Sequence, residues 1–122
     1  MKRNISPHTT IYKFPVTAIS SIATRLSGLY LTGSYVGFGI ASLYHIDVNE
    51  QYRNLDTLQK SCINYSLIIP STYHTFGGVR HFVFDKYPSM LTNQRVAHSS
   101  YLLFGATLGA SIVIEKYIKP FA

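Results

Sequence analysis

His74 is the residue whose type and position most directly suggest chemistry. It lies within a run, residues 61–79, that contains no Asp, Glu, Lys or Arg. In a membrane, an ionisable side chain in such a run is costly unless it faces a bundle interior and has a partner. A neutral imidazole is also a good haem-iron ligand, and Gly78, one helical turn further on, would let a flat macrocycle approach the backbone. The alternative is a polar histidine that hydrogen-bonds between helices.

Ser21 and Arg25 form a second candidate site, because residues four apart lie on one face of a helix. Together they would present a hydroxyl group and a permanently charged fork of five N–H donors. Such a pair could polarise the carbonyl oxygens of a quinone head group where the membrane meets water. The alternative is an arginine that only extends its charged end to the membrane surface.

The other candidates carry a weaker signal. His45 and His98 fall near the ends of apolar segments, where contact with the membrane interface is expected, and the alternative for His98 is a second metal ligand. Asp85 follows the second apolar segment and could relay protons, although an ion pair with Lys86 or Arg80 is the simpler role. The single cysteine cannot form an internal disulfide or a cysteine-ligated cluster. Without a nucleophile–base pair or paired carboxylates, the chain is not expected to be an enzyme by itself.

The composition of the chain indicates a membrane protein. The 122 residues are 47% hydrophobic and 13% charged, and this charged share is about half of the ~25% typical of soluble domains. Three segments lack charged residues: 26–46, 61–79 and 96–114. Each is close to the ~20 residues that a helix needs to cross the hydrocarbon core. The net charge of +6 does not predict a nucleic-acid partner, because the cations lie outside the apolar segments.

These segments predict an all-α, integral-membrane bundle of three transmembrane helices. The helices are expected at about 18–45, 61–84 and 93–116, and with an N-terminal segment 1–16 they form one membrane-anchor domain, 1–122. Two helices carry small residues at the four-residue spacing of closely packed membrane helices. These residues are Gly33, Gly37 and Ala41 in the first helix, and Gly105 and Gly109 in the third.

The distribution of Lys and Arg predicts the orientation. With three spans, the N-terminus and the loop near residues 80–95 share one side, which holds seven of the eleven cations. This favours an N-terminus on the matrix or cytoplasmic side. On the opposite side, the polar residues 47–60 are expected to form an exposed loop. Residues 1–15 lack the apolar core of a secretory signal, so no cleavable targeting segment is expected there.

Two local sequences resemble the signatures of a known family. Residues 6–15 (SPHTTIYKFP), followed by residues 21–28 (SIATRLSG), resemble the N-terminal signature of the cytochrome b large-anchor subunit of succinate dehydrogenase. Residues 74–85 (HTFGGVRHFVFD) resemble the second signature of that family. Both occur in the family's order and at its distance, so the resemblance covers about residues 5–117.

The resemblance implies a subunit of respiratory complex II in the inner membrane of a mitochondrion or bacterium. Together with a smaller anchor subunit, it would hold the flavoprotein and iron–sulfur subunits at the membrane. Electrons from succinate would reach ubiquinone at Ser21 and Arg25. His74 would be an axial ligand of haem b, and the smaller anchor would supply the other ligand. Haem propionates would be held by Arg25 and also by Arg80 and His81.

Two departures from the family pattern keep alternatives open. Thr24 stands where the family often has histidine, which removes one expected propionate donor. Tyr87 stands where a small residue is usual. The first departure favours a structural membrane subunit that binds neither haem nor quinone. A third possibility is the anchor of a fumarate reductase, because the fold does not set the direction of electron flow.

Overall fold

The computed structural model describes residue 11 and residues 13–118, and within them all regular structure is helical. The chain forms α1 (Val16–Leu43), α2 (Val48–Arg53), α3 (Thr57–Lys86), a 3-10 turn (Pro88–Met90) and α4 (Asn93–Ile118). The predicted all-α class is confirmed. The three long helices lie where the three segments were predicted. Most of the predicted N-terminal segment 1–16 lies outside the described residues.

The prediction of a loop over residues 47–60 is wrong, because two capping arrangements extend helix into it. The Asp47 carboxylate accepts the backbone N–H of Glu50 across 3.1 Å and thereby begins the short helix α2. Asp56 and Gln59 form a capping box, in which the Gln59 side chain accepts the Asp56 N–H across 3.1 Å. This capping box starts α3 four residues earlier than predicted. At its other end, α3 continues through Asp85, which was expected in a turn.

Not all three long helices are both long enough and apolar enough to meet the criterion for a membrane span. Among the helices that the structure describes, α4 alone is both long and apolar enough to cross a membrane, over Asn93–Tyr117 with a mean hydropathy of 1.4. With 28 and 30 residues, α1 and α3 are long enough to span. However, hydroxyl, glycine and charged residues dilute their apolar character. The number of three spans therefore stays a prediction.

The three long helices pack against one another, with α3 in contact with both α1 and α4. Their interior is mostly polar, whereas Ile, Leu, Val, Phe and Tyr side chains are exposed along all three helices. The buried polar residues are Ser20, Ser27, Ser100, Thr107, Ser111 and Glu115. A soluble domain buries its apolar side chains instead. The distribution favours lipid around the helices, with small hydroxyl residues at the helix contacts.

Candidate functional site

A cavity of about 460 Å³ opens between the first half of α1, the second half of α3 and the start of α4. Its size falls within the range of small-molecule sites, about 300–1,000 Å³. Four of the predicted site residues line it: Ser21, Arg25, Arg80 and His81. The rest of the wall is formed by Thr17, Thr24, Gly77, Phe84, Leu91 and Val96. The tertiary structure thus brings two sequence-distant candidate groups to one cavity.

Ser21 and Arg25 present unused donors to this cavity. Both residues are exposed. Within residues 13–118, the side chains of both lack a hydrogen bond or ion pair. A serine hydroxyl and a guanidinium can each donate to a carbonyl oxygen, and the guanidinium also carries a fixed charge. The pair is therefore available for an oxygen-bearing ligand.

Arg80, in contrast, is engaged in joining the helices. Its Nη1 donates to Ser20 Oγ on α1 across 2.9 Å, and its Nη2 donates to the Val96 carbonyl on α4 across 3.3 Å. The guanidinium also lies 5.5 Å from the centroid of the Phe84 ring. The Tyr73 hydroxyl donates to the Ser20 carbonyl across 3.2 Å, and Ser20 is fully buried. Ser20 is therefore the centre of a polar network that connects α1, α3 and α4 beside the cavity.

His81 and Asp85 lie at the exposed edge of the site. His81 Nε2 is 3.6 Å from Asp85 Oδ2, and both side chains are largely exposed. Asp85 was expected to pair with Lys86 or Arg80, and this is wrong for the described residues. Asp85 follows His81 by one helical turn on the same face, whereas Arg80 turns inward to Ser20. Lys86 lies over the Tyr87 ring instead.

His74 lies on α3 facing α1, outside the wall of the cavity. Its Nδ1 is 3.0 Å from the Thr24 carbonyl oxygen and 3.3 Å from Ser27 Oγ. A carbonyl oxygen only accepts hydrogen bonds, so Nδ1 carries a proton, and in the neutral imidazole Nε2 then has the lone pair. A metal-bound histidine usually has this arrangement, with one nitrogen donating to an oxygen and the other free for the metal. The interhelical hydrogen bond expected from the alternative interpretation is present, but it uses only one ring nitrogen.

Close packing of α1 and α3 depends on two glycines. A Cβ on Gly28 would lie 2.7 Å from His74 Cε1, so the imidazole needs glycine at that position. A Cβ on Gly77 would lie 3.0 Å from the Thr24 side chain. Gly78 has nothing within 4 Å of the position that its Cβ would occupy. Open space thus adjoins the backbone at Gly78, and the expected approach of a macrocycle there stays a prediction.

Sequence comparison identifies the family of this chain. A model of the succinate dehydrogenase/fumarate reductase transmembrane subunit family matches residues 1–114. The chain belongs to this family. The match covers both signature sequences, so the resemblance predicted from them is confirmed.

Relatives within the family are about 30% identical to this chain over the aligned residues. The mitochondrial succinate dehydrogenase cytochrome b560 subunit of Caenorhabditis briggsae is 32% identical over 95% of the chain and 67% of that relative. The corresponding subunit of Dictyostelium discoideum is 30% identical over 88% of the chain and 58% of its own length. The subunit of Porphyra purpurea is 29% identical over 97% of both chains. The chain therefore spans about half to two thirds of several mitochondrial relatives and nearly all of the algal one.

Sequence reasoning about this family member missed the residues that hold the site in place. Ser20, Thr24 and Ser27 recur at the spacing of one helix face, and this signal could have marked the inward side of α1. Tyr73 gave no such signal. Glu115 directly follows the charge-free segment 96–114, yet it is 2% exposed. Neither of its carboxylate oxygens has a hydrogen-bond partner among the described residues.

The two weaker histidine candidates lie apart from the cavity. His45 follows the end of α1 with a φ of 54°, and it lines a second cavity with Asp47 at the opposite end of the helices. His98 is exposed on α4. Within residues 13–118, the structure brings no third metal-ligating side chain near any pair of such groups.

Proposed function

We propose that this chain is the large membrane-anchor subunit of a succinate:ubiquinone oxidoreductase and that its main cavity receives the quinone head group. In this proposal, three helices span the membrane, and the N-terminus lies on the matrix or cytoplasmic side. The observation that carries the proposal is the pair of unused donors, Ser21 and Arg25, beside an open cavity of about 460 Å³. Membership of the family supports the assignment to this class of complex.

The partners follow from the same proposal. The chain would assemble with a flavoprotein subunit, an iron–sulfur subunit and a second, smaller anchor subunit in a mitochondrial or bacterial inner membrane. The relatives carry the name of a succinate dehydrogenase cytochrome subunit, which supports a multisubunit assembly. The polar interior and apolar exterior of the helices support lipid as the surroundings. No nucleic-acid partner is proposed.

At the quinone, Arg25 has the principal role. When electrons reach the quinone, negative charge develops on a carbonyl oxygen. Arg25 would stabilise that charge by a charge-assisted hydrogen bond in a poorly solvated site, and Ser21 would hold the ring in place by a second bond. His81 and Asp85, at the exposed edge, would deliver protons from the inner side, with Asp85 as the relay. Succinate itself would be oxidised elsewhere in the complex.

The residues also fit a haem b shared with the smaller anchor. His74 offers a neutral imidazole whose Nδ1 is held by the Thr24 carbonyl and whose Nε2 is free to bind iron. The open backbone at Gly78 leaves room beside it for a macrocycle. Arg25, His81 and the remaining donors of Arg80 could hold the propionates. When bound, the haem supplies a one-electron centre near the quinone.

The quinone site is tested by Arg25→Ala in the purified complex, with Arg95→Ala as the control. Arg95 is an exposed arginine near the start of α4, outside the cavity wall. We expect Arg25→Ala to lower succinate–quinone reductase activity by about 100-fold, the usual effect of removing one charge-stabilising donor. Succinate oxidation with an artificial acceptor should be retained. Unchanged quinone reduction in an assembled Arg25→Ala complex would support the purely structural subunit instead.

The haem assignment is tested by a dithionite-reduced minus oxidised absorption spectrum of the complex, beside the spectrum of His74→Ala. A b-type band that is lost or shifted in the variant would support His74 as the iron ligand. A complex that reduces quinone without any haem band would contradict the haem assignment and leave the quinone site as its only chemistry. Rates of succinate oxidation and of fumarate reduction in the same preparation separate the two directions of electron flow.

A further inference from the structure

The carbonyl oxygen of Thr24 is shared by two side chains. The Ser27 hydroxyl donates to it across 2.7 Å, and His74 Nδ1 donates to it across 3.0 Å. Inside α1, the same oxygen is also in line with the backbone amide of Gly28, because helical amides bond to the carbonyl four residues back. Three donors therefore converge on an oxygen that has two lone pairs. Each of these hydrogen bonds weakens the others.

We infer that Ser27 is a positioning residue that raises the reduction potential of a haem bound through His74. This inference rests on the haem ligation proposed above. A stronger hydrogen bond from Nδ1–H makes the imidazole a better electron donor through Nε2, which stabilises ferric iron and lowers the potential. Because the Ser27 hydroxyl takes up part of the acceptor capacity of Thr24, it keeps the histidine bond weaker. The ferrous state is thereby favoured.

The Thr24 carbonyl is the nearer of the two acceptors available to His74 Nδ1. Gly28 lets the exposed imidazole approach α1 closely, because a Cβ there would lie 2.7 Å from Cε1. The Thr24 carbonyl is fixed in the backbone of α1. Ser27 Oγ also accepts from His74 Nδ1–H across 3.3 Å, a longer hydrogen bond than the 3.0 Å bond to the Thr24 carbonyl. We therefore expect the competition for the Thr24 oxygen to outweigh this second hydrogen bond.

The space around Ser27 also allows substitutions without steric conflict. Ser27 is 9% exposed and lines a mostly apolar cavity of about 420 Å³ between α1, α3 and α4. This space can take up the extra methyl group of Ser27→Thr, which keeps the hydroxyl. Removal of the hydroxyl in Ser27→Ala only deepens the cavity. Ser34 provides a matched control, because its hydroxyl donates to the Tyr30 carbonyl of the same helix and contacts no histidine.

The experiment is a redox titration of the haem absorption band in the purified complex, with wild type, Ser27→Ala, Ser27→Thr and Ser34→Ala compared. We expect Ser27→Ala to lower the ferrous-to-ferric ratio at a fixed ambient potential by about fivefold, the equivalent of one ordinary hydrogen bond. For a one-electron couple, each tenfold change in this ratio corresponds to 59 mV, so the reduction potential should fall by about 41 mV. Ser27→Thr and Ser34→Ala should titrate like wild type.

An unchanged or higher potential in Ser27→Ala would overturn the inference. If that variant does not assemble, Ser27→Cys replaces it, because a thiol is a weak donor and should also lower the potential. If the proposed haem ligation by His74 is wrong, the experiment gives a different result. In that case, the wild-type complex shows no haem band, or the band is the same in His74→Ala. A haem that depends on His74 but titrates normally in Ser27→Ala contradicts the inference alone.

Discussion

At the scale of single residues, Arg80 and Arg25 differ in how many of their hydrogen-bond donors the protein itself uses. Arg80 uses two of its nitrogen atoms to join helices through Ser20 and the Val96 carbonyl. Arg25 uses none within the described part of the chain. Because a guanidinium already committed to the protein has fewer donors for a ligand, Arg25 is the stronger candidate for binding quinone oxygens. By the same reasoning, His74 Nδ1 is used in a hydrogen bond within the protein, and Nε2 is available to a ligand.

Gly28→Ala should disturb the histidine directly. The new methyl group would lie 2.7 Å from His74 Cε1, so the imidazole must shift away from α1. We expect a loss of about 1–3 kcal/mol in stability, as for other overpacked sites, together with a weakened or shifted haem band. The control is Gly33→Ala, where nothing lies within 4 Å. Equal spectra and equal melting temperatures for the two variants would contradict this packing.

Asp85→Asn tests the proton relay. The amide cannot take up and release protons, and it also removes the carboxylate that lies 3.6 Å from His81 Nε2. We expect slower quinone reduction with an altered pH profile, while the spectrum of the complex stays the same. Steady-state rates across a pH series would measure this. An unchanged rate and pH profile would mean that protons reach the cavity by another route.

At the scale of elements, polar contacts rather than an apolar core fix how α1, α3 and α4 meet. Tyr73 and Arg80 on α3 both contact Ser20 on α1. Further along the helices, Thr72 Oγ1 lies 3.1 Å from Ser111 Oγ on α4. In lipid, exclusion of apolar side chains from water cannot drive helices together, so small residues and hydrogen bonds have this role. The polar stripe on each helix thus sets its rotation, and with it the direction of the site residues.

Ser20→Ala should loosen this arrangement. The substitution removes the acceptor of Arg80 Nη1 inside the helix contact, and an unsatisfied buried donor costs about 1–3 kcal/mol, or more when it is charged. We expect a lower melting temperature of the subunit in detergent, with loss of quinone reduction. Ser34→Ala is the control, because that hydroxyl bonds only within its own helix. A melting temperature equal to that of the control would show that the network is not needed for packing.

At the scale of the whole molecule, the distribution of apolar and polar side chains is the reverse of that in a soluble domain. Large apolar side chains such as Leu29, Leu43 and Phe82 are exposed, while serines and threonines are buried. A contiguous apolar exterior of this extent is unfavourable in water and is typical of a surface that faces lipid or another membrane chain. The cavity lies at the end of the bundle that holds the N-terminus of α1. On the proposed orientation, this end faces the matrix or cytoplasm.

The orientation can be tested by thiol labelling in sealed vesicles. Cys62, the single native cysteine, is first removed by the substitution Cys62→Ser, so that the background carries no thiol. Ser89→Cys, in the turn after α3, and Asn49→Cys, in α2, then supply one exposed thiol each. With three spans, a membrane-impermeant reagent should label Ser89→Cys only from the matrix or cytoplasmic side and Asn49→Cys only from the other. Labelling of both from one side would contradict the odd number of spans between them.

The sequence by itself determined the three long helical segments and the common helix face of Ser21 and Arg25. Charge-free stretches and a spacing of four residues are local properties, and they survive in any arrangement of the helices. Only the tertiary structure decided that His74 bonds to the Thr24 carbonyl, that Arg80 turns to Ser20 and that Glu115 is buried. A backbone carbonyl is present at every position, so the residue types do not indicate which carbonyl a side chain will bond to. Which carbonyl or hydroxyl a side chain meets depends on the rotation and depth of neighbouring helices.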